Sequence, residues 1–551
     1  MLRRSNRYAW LVFAALLLLC ACAKKEWQTY RANTARTADQ SHATALSDPD
    51  KVPHLAVGWT WQPSAGEAAN FRASPIVFDY TVFIGNANGY FYAINGNTGS
   101  QLWRFPVAST PLVGSCGFGA YGIQSSASRA DVGGQDAVIF GAPDPSIAPG
   151  LGSARLYALN AATGALIWKS DVVAQVTGCT GCAGVCSPAA LSQLHERIAY
   201  SGPLVHDGVV YVGVHDSGDD PIQNGKIIAV ELSTGHVLPG FSFLATTTRG
   251  GGVWNAPATD GHGVFFTTGN TRTWNGGSQG PPAINHGLSV VRIHPKTGTV
   301  DWTFQPVPYD LDDDPDWSAG AAVLHSDDDE CGKLIVSVQK DGWTYALDAG
   351  TGQCKWQYPP TDEPSCTFPS GGVHDHGDTD YKQPGAIWGH VVIMKVGGWG
   401  LTTPGGFDSG YSRLHALNAC AGDHHRVRWI LDVPDTAPGD GYAIGAPTVT
   451  GGIVYVTTNT GHLIAVADTK LRPPAGHRCT DEFINPTSSG PGWKAVCNAH
   501  GFKVVPSPTV LADVALPDGS VAANLRNEPA LAYGKVYVGT SAGHVYALWP
   551  H

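Results

Sequence analysis

The stretch Gly250-Gly251-Gly252-Val253-Trp254-Asn255-Ala256-Pro257 sets bare backbone beside the largest flat side chain. That pairing suits close approach by a planar ligand, and equally a Trp packed between structural elements. Further on, Thr268-Gly269-Asn270 places an amide oxygen just after an apolar run. Such an oxygen is a donor for a hard cation, or an ordinary turn residue. Tyr309-Asp310-Leu311-Asp312-Asp313-Asp314-Pro315-Asp316-Trp317 is an acidic cluster. It reads as a solvated loop, as a general base beside a cation, or as a calcium loop of Asp-x-Asp-x-Asp spacing. The calcium loop fails, because Pro315 replaces the required Gly and Ala321 stands where the terminal Glu belongs. Gln339-Lys340-Asp341-Gly342 offers a cation for developing negative charge, or a turn lysine. His374-Asp375-His376-Gly377-Asp378 has two imidazoles but no distant partner and reads as a polar loop. His424-His425 reads as a solvated turn, and no nucleophile-elbow pattern stands out.

Such residues need a frame, and the chain repeats one phrase to build it. Gly208-Val209-Val210-Tyr211-Val212-Gly213 and Gly534-Lys535-Val536-Tyr537-Val538-Gly539 are copies of its first half. Leu156-Tyr157-Ala158-Leu159-Asn160-Ala161-Ala162-Thr163-Gly164 and Tyr345-Ala346-Leu347-Asp348-Ala349-Gly350-Thr351-Gly352 are copies of the second, usually followed by a Trp. Alternating β-branched and aromatic residues make half-buried strands. Asn88-Gly89 and Ala542-Gly543 supply hairpin turns, and the Asp/Asn-x-x-Thr-Gly stretch makes the next turn. Trp103, Trp168, Trp302, Trp356 and Trp429 open outer strands that pack on the neighbouring unit.

Eight units are counted, at about 74–105, 124–170, 200–238, 254–304, 318–357, 384–431, 446–468 and 529–549. The last ends at Tyr546-Ala547-Leu548 without its Trp strand, while Leu55-Ala56-Val57-Gly58-Trp59-Thr60-Trp61 stands unclaimed near the start. The expected fold is therefore all-β: an eight-bladed β-propeller of four-stranded antiparallel blades, its ring closed by that N-terminal strand. The propeller domain is expected over 55–551, after a tether and lead-in over 22–54 and a signal over 1–21.

Composition agrees, with 68 Gly, 17 Trp and only 14% charged residues, the profile of a turn-rich β protein. A net charge of −11 with no basic run beyond the extreme N-terminus argues against a nucleic-acid partner. Arg3, Arg4 and Arg7 precede an apolar run from Ala9 to Leu19, too short to span a bilayer comfortably. It ends Leu19-Cys20-Ala21-Cys22, the pattern of a bacterial lipoprotein signal cleaved before a lipidated Cys22, an ordinary secretory signal being the alternative. Ala23 in place of an aspartate favours the outer membrane, with the body facing the periplasm. Ten cysteines follow, an even number in an exported chain, which suggests disulfides. Cys331 with Cys354 across a hairpin, and Cys479 with Cys497 inside one loop, are the economical pairings. Cys179-Thr180-Gly181-Cys182 with Cys186 could bind zinc, though disulfides suit the compartment better. Cys-x-x-Cys-His is absent, so the chain carries no covalent haem.

The repeats, with the opening Glu26-Trp27-Gln28-Thr29-Tyr30-Arg31 and Ala35-Arg36-Thr37, resemble the quinoprotein (pyrroloquinoline quinone, PQQ) alcohol dehydrogenases, particularly the polyvinyl-alcohol-dehydrogenase-like branch. The resemblance implies that Trp254 floors the planar quinone and that Asn270 binds Ca²⁺. It makes Asp316, anchored on Ser318-Ala319-Gly320, the catalytic base and further calcium neighbour, and Lys340 the cation at the quinone oxygens. The family's acidic calcium ligand falls in Val214-His215-Asp216-Ser217-Gly218-Asp219-Asp220, with Asp219 first and Asp216 behind it. Its vicinal disulfide is replaced by a single Cys in Ser115-Cys116-Gly117. The implied activity is oxidation of a small or polymeric alcohol, with electrons passed to an external cytochrome or quinone. The alternative is a non-catalytic propeller that binds proteins, as in outer-membrane assembly.

Overall fold

The computed structural model describes residues 26–68, 70–107, 122–144, 146, 153–175, 196–198, 202–216, 224–247, 250–271, 286–306, 316–317, 319–325, 331–339, 343–358, 366, 385–396, 401–403, 406–408, 413–421, 426–433, 445–468, 475–478, 504–517 and 528–551. Among them eight antiparallel sheets follow one another as blades, seven of four strands and one of five. Blade 1 is typical: Ile76–Phe78, Thr81–Gly85, Tyr90–Asn95 and Gln101–Pro106. Its innermost strand is wholly buried and its outermost mostly exposed, as expected when each sheet packs edge-on around an axis. Blade 3 has five strands because Glu196–Ile198 and Leu204–His206 both pair with Val209–Asp216.

Leu55–Trp61 pairs antiparallel with Val545–Pro550, from Leu55 opposite Pro550 to Trp61 opposite Val545, and completes blade 8 as the sequence suggests. Blade 7 departs from the sequence reading, which ends the unit at residue 468. Its fourth strand is Thr509–Ala515, paired with His462–Ala467 across some forty intervening residues. No Trp marks that strand, so the repeat phrase does not reveal it.

The repeat phrase is explained by how blades dock. In blades 1, 2, 5 and 6 the Trp of the outer strand lies opposite the Ala of the third: Trp103 to Ala93, Trp168 to Ala158, Trp356 to Ala346, Trp429 to Ala416. A bulge follows each pair and turns the indole toward the next blade. There Nε1 of Trp59, Trp103, Trp168 and Trp302 donates to a backbone carbonyl of the neighbouring Thr-Gly turn at 2.9–3.2 Å, and Nε1 of Trp356 to Ala419 O at 2.8 Å. Trp429 reaches the Asp468 carboxylate instead, at 3.0 Å. The turn is held by its own Asx residue; Asn160 Oδ1 accepts from the N–H of Ala162 and of Thr163, both at 3.1 Å. Its glycine is doubly required. Gly164 has φ +71°, and a Cβ there would lie 2.7 Å from the Trp103 ring. The five residues Asn160 to Gly164 thus serve both as turn and as socket for the blade before.

Residues 26–40 form a strap along the inner strands. It bonds in turn to Val77, Arg129, Thr259, Val323, Ile387 and Val449, in blades 1, 2, 4, 5, 6 and 7. Inner strands otherwise present an unpaired edge to the axis, so the strap satisfies donors that would be buried and unmet. Within it, burial pushes the Asp39 carboxyl up to about 7. Its neutral form is favoured in the fold, so that contribution is complete below about pH 4 and is lost as pH rises through 7. Asp39→Asn is expected to raise stability at pH 8 by about 2 kcal/mol, discounted for partial exposure, and to change nothing at pH 4. Thermal midpoints at the two pH values check this; equal effects at both would refute it.

The expected Cys331–Cys354 pairing is corrected. Cys331 is bonded to Cys420, and Cys354 to Cys366. Cys354 opens the outer strand of blade 5, opposite Leu347, whereas Cys331 lies at the rim that meets blade 6. Cys116, Cys179, Cys182, Cys186, Cys479 and Cys497 lie outside the described residues, as do Cys22 and the apolar run before it.

Candidate cofactor site

Strands in a blade alternate in direction, so the joints between blades and the turns after each second strand share one rim. Four positions use that rim. Trp254 lies in the joint from blade 3 to blade 4, and Asp316 in the joint from blade 4 to blade 5. Asn270 follows the second strand of blade 4, Val264–Thr267, and His215 lies next to the end of Val209–Asp216, the blade 3 strand that follows its two inner segments.

The glycine run is stitched between these elements. Gly225 N–H donates to Gly250 O at 2.9 Å, Gly251 N–H to Asn270 O at 2.6 Å, Gly269 N–H to Gly252 O at 2.9 Å, and Val253 N–H to Val214 O at 3.1 Å. Gly250 and Gly251 have φ of +96° and +72°, the left-handed region that glycine enters without strain. Side chains here would also strike their partners: a Cβ on Gly250 would meet the Asn270 carbonyl, and one on Gly252 would lie 3.1 Å from His215 Cβ. Glycine is what lets Trp254 be carried in so close to the neighbouring blades.

The indole of Trp254 is partly exposed and stacks on His215, ring centroids 4.9 Å apart and planes 13° from parallel. His215 is 0% exposed, so the face it covers is closed to solvent. Asp316 is 1% exposed, and its Oδ1 accepts a hydrogen bond from the backbone N–H of Asn270. A Cβ on Gly269 would lie 2.5 Å from both Asp316 Oδ1 and Trp254 Nε1, so the carboxylate and the indole edge meet at one point. Gly269→Ala is therefore expected to displace both groups and lower affinity for a planar ligand at least tenfold. Ligand titration with the thermal midpoint measured alongside checks it; unchanged affinity in a folded variant would count against this geometry.

Three of the site residues read from the sequence, Trp254, Asn270 and Asp316, are thus brought together. Lys340 and Asp219 lie outside the described residues, as do His374, His376, His424 and His425; Asp216 has a described backbone only. Among the described residues no three His, Cys, Asp or Glu side chains form a metal-sized cluster. Asn270 and Asp316 still supply hard oxygen donors of the kind calcium takes. The sequence reading missed His215, taking the segment only for its aspartates, although an aromatic five residues before Asp220 was the available signal.

A ring of eight sheets thus carries a half-open indole, flanking glycines and a buried carboxylate at one rim. Residues 27–370, well over half the chain, match the family described as glucose/ethanol/alcohol dehydrogenase, beta-propeller domain. The chain belongs to this family. It is similar to quinoprotein alcohol dehydrogenase PedH of Pseudomonas putida, 23% identical over 56% of this chain and 51% of the relative. It is also similar to lupanine 17-hydroxylase [cytochrome c] of a Pseudomonas species, 22% identical over 63% of this chain and 51% of the relative. The chain spans about half the length of these curated relatives. In fold it resembles quinohemoprotein alcohol dehydrogenase from Comamonas testosteroni, with a TM-score of 0.65 at 17% identity over 97% of this chain and 82% of that one. A europium-containing methanol dehydrogenase superposes with a TM-score of 0.64 at 16% identity, over 97% of this chain and all of the other.

Proposed function

We propose that this protein is a PQQ- and Ca²⁺-dependent dehydrogenase of a small or polymeric alcohol, tethered by lipid on Cys22 to the outer membrane and facing the periplasm. The convergence of Trp254, Asn270 and Asp316 from two blade joints and one turn carries the reading. When bound, PQQ supplies the two-electron acceptor for the substrate hydride. Trp254, backed by His215, offers its partly exposed indole to the planar ring. Asn270, with Asp219, would hold the cation through oxygen donors. Asp316 accepts the alcohol proton, and the Asn270 N–H at its Oδ1 keeps the carboxylate aimed. Lys340 stabilises negative charge at the quinone side. Electrons leave to an external cytochrome or quinone.

The metal-stripped protein lacking its lipidated Cys should be titrated with PQQ, with and without Ca²⁺, while Trp fluorescence is followed. Saturable, calcium-dependent quenching that Trp254→Ala weakens is expected. No binding well above micromolar PQQ would refute the reading and leave a protein-binding propeller as the better account.

A further inference from the structure

The strap carries two arginines into the axis against one carboxylate. Arg31 and Arg36 are 0% and 1% exposed, and Glu528 is 0% exposed. Arg31 takes the whole of Glu528: its Nη1 donates to Oε2 at 2.9 Å and its backbone N–H to Oε1 at 2.6 Å. Its Nη2 also donates to Gly385 O at 2.6 Å. The hydrogen bonds of Arg36 among the described residues all go to neutral oxygens. Nε reaches Pro257 O at 2.9 Å, Nη1 reaches Tyr30 O at 2.7 Å and Thr29 Oγ1 at 2.8 Å, and Nη2 reaches Pro203 O at 3.2 Å. Burial lowers the Arg36 pKa only to about 10, so it is charged at neutral pH.

These carbonyls have a common location. Pro203, Pro257 and Gly385 lead into the inner strands of blades 3, 4 and 6, on the rim that carries the site. Pro257 stands three residues beyond Trp254. With Arg31 paired to Glu528, the cluster holds, among the described residues, a net charge of +1, shut from water at the joint that carries Trp254. Burying a guanidinium without a carboxylate against it is costly, and apolar side chains could fill an axis at no such cost.

We infer that Arg36 is a positioning charge for an anionic planar ligand: it draws the tricarboxylate PQQ into the rim site by attraction through the floor, without touching it. The inference rests on the cofactor reading above. A unit charge acting over about 12 Å at an effective dielectric of about 20 changes an equilibrium roughly tenfold. A buried charge is also little screened by salt.

The test compares PQQ with an uncharged planar orthoquinone, phenanthrenequinone, by fluorescence titration at low and high salt. Arg36→Gln is expected to weaken PQQ about tenfold at both salt concentrations and to leave the neutral quinone unchanged, while Arg36→Lys retains PQQ affinity. Glu528→Gln, which adds a net positive charge, is expected to tighten PQQ. Equal losses for both ligands, as a purely structural role produces, overturn the inference. So does weaker or unchanged PQQ binding by Glu528→Gln, which decides the matter alone if Arg36→Gln does not fold. Wild-type protein that binds no PQQ removes the cofactor reading and this inference with it. Wild-type binding that Arg36→Gln leaves intact removes the inference only.

Discussion

Asp316→Asn is expected to cut alcohol turnover by about 10³-fold while PQQ affinity stays within about threefold of wild type. The substitution keeps an oxygen acceptor for the Asn270 N–H and almost the same volume, so the packing of this 1%-exposed side chain survives. What it removes is the negative charge and the ability to take a proton. A general base contributes about 10²–10⁴ in rate, whereas the stacking that binds a planar ring belongs to Trp254. Turnover with an artificial dye acceptor, measured beside the PQQ titration, separates the two effects. A rate near wild type would remove Asp316 from the mechanism; parallel losses of rate and affinity would make it a cation ligand first and a base second.

The second large effect concerns the ring itself. Cys331→Ser with Cys420→Ser is expected to cost about 4–5 kcal/mol, from the loop-closure entropy of a crosslink spanning 89 residues. Cys354→Ser with Cys366→Ser, spanning 12, should cost about 3 kcal/mol by the same relation. The longer crosslink also joins two blades where other contacts already meet. Trp356 of blade 5 donates to Ala419 O at 2.8 Å, and the Arg426 guanidinium lies 4.3 Å from the centroid of the Trp356 ring. Removing the bond should loosen that contact as well, so the two double variants should differ by more than loop length alone requires. Denaturant midpoints and thermal midpoints of the oxidised variants measure this; a smaller cost for the 331–420 pair would contradict it.

Much of the frame was legible because the repeat phrase is a local code. A Trp, an Ala opposite it, an Asx residue and a Thr-Gly pair together specify a strand, a bulge and a socket within about twenty residues. Trp254, Asn270 and Asp316 were legible through the family resemblance, which singles out the glycine-run Trp, the Thr-Gly-Asn amide and the Asp before Ser318-Ala319-Gly320. What escaped was contact between blades. Nothing local to Cys331 says that its partner lies on the next blade, and Cys354 is nearer in sequence. His215 stacks on Trp254 across a blade boundary, and the fourth strand of blade 7 pairs across a long insertion without a Trp to announce it. Arg31 and Arg36 stand out in the sequence only as part of an opening motif, since no sequence pattern tells that a strap will run along the axis.

Closure of blade 8 by Leu55–Trp61 has a consequence in time. The strand that shuts the ring is synthesised about 480 residues before its partner, Val545–Pro550. At roughly 5–20 residues per second the interval is on the order of a minute. Throughout it, seven residues with two tryptophans wait with no mate, and the strap has only some of its blades to bind. Early blades can form their own hairpins and dock on the next, yet blade 1 gains its second neighbour only when blade 8 is made. The nascent protein is therefore most exposed to strand exchange with another copy before release, and a factor that shields Leu55–Trp61 in that interval would raise the yield of closed rings without changing their stability.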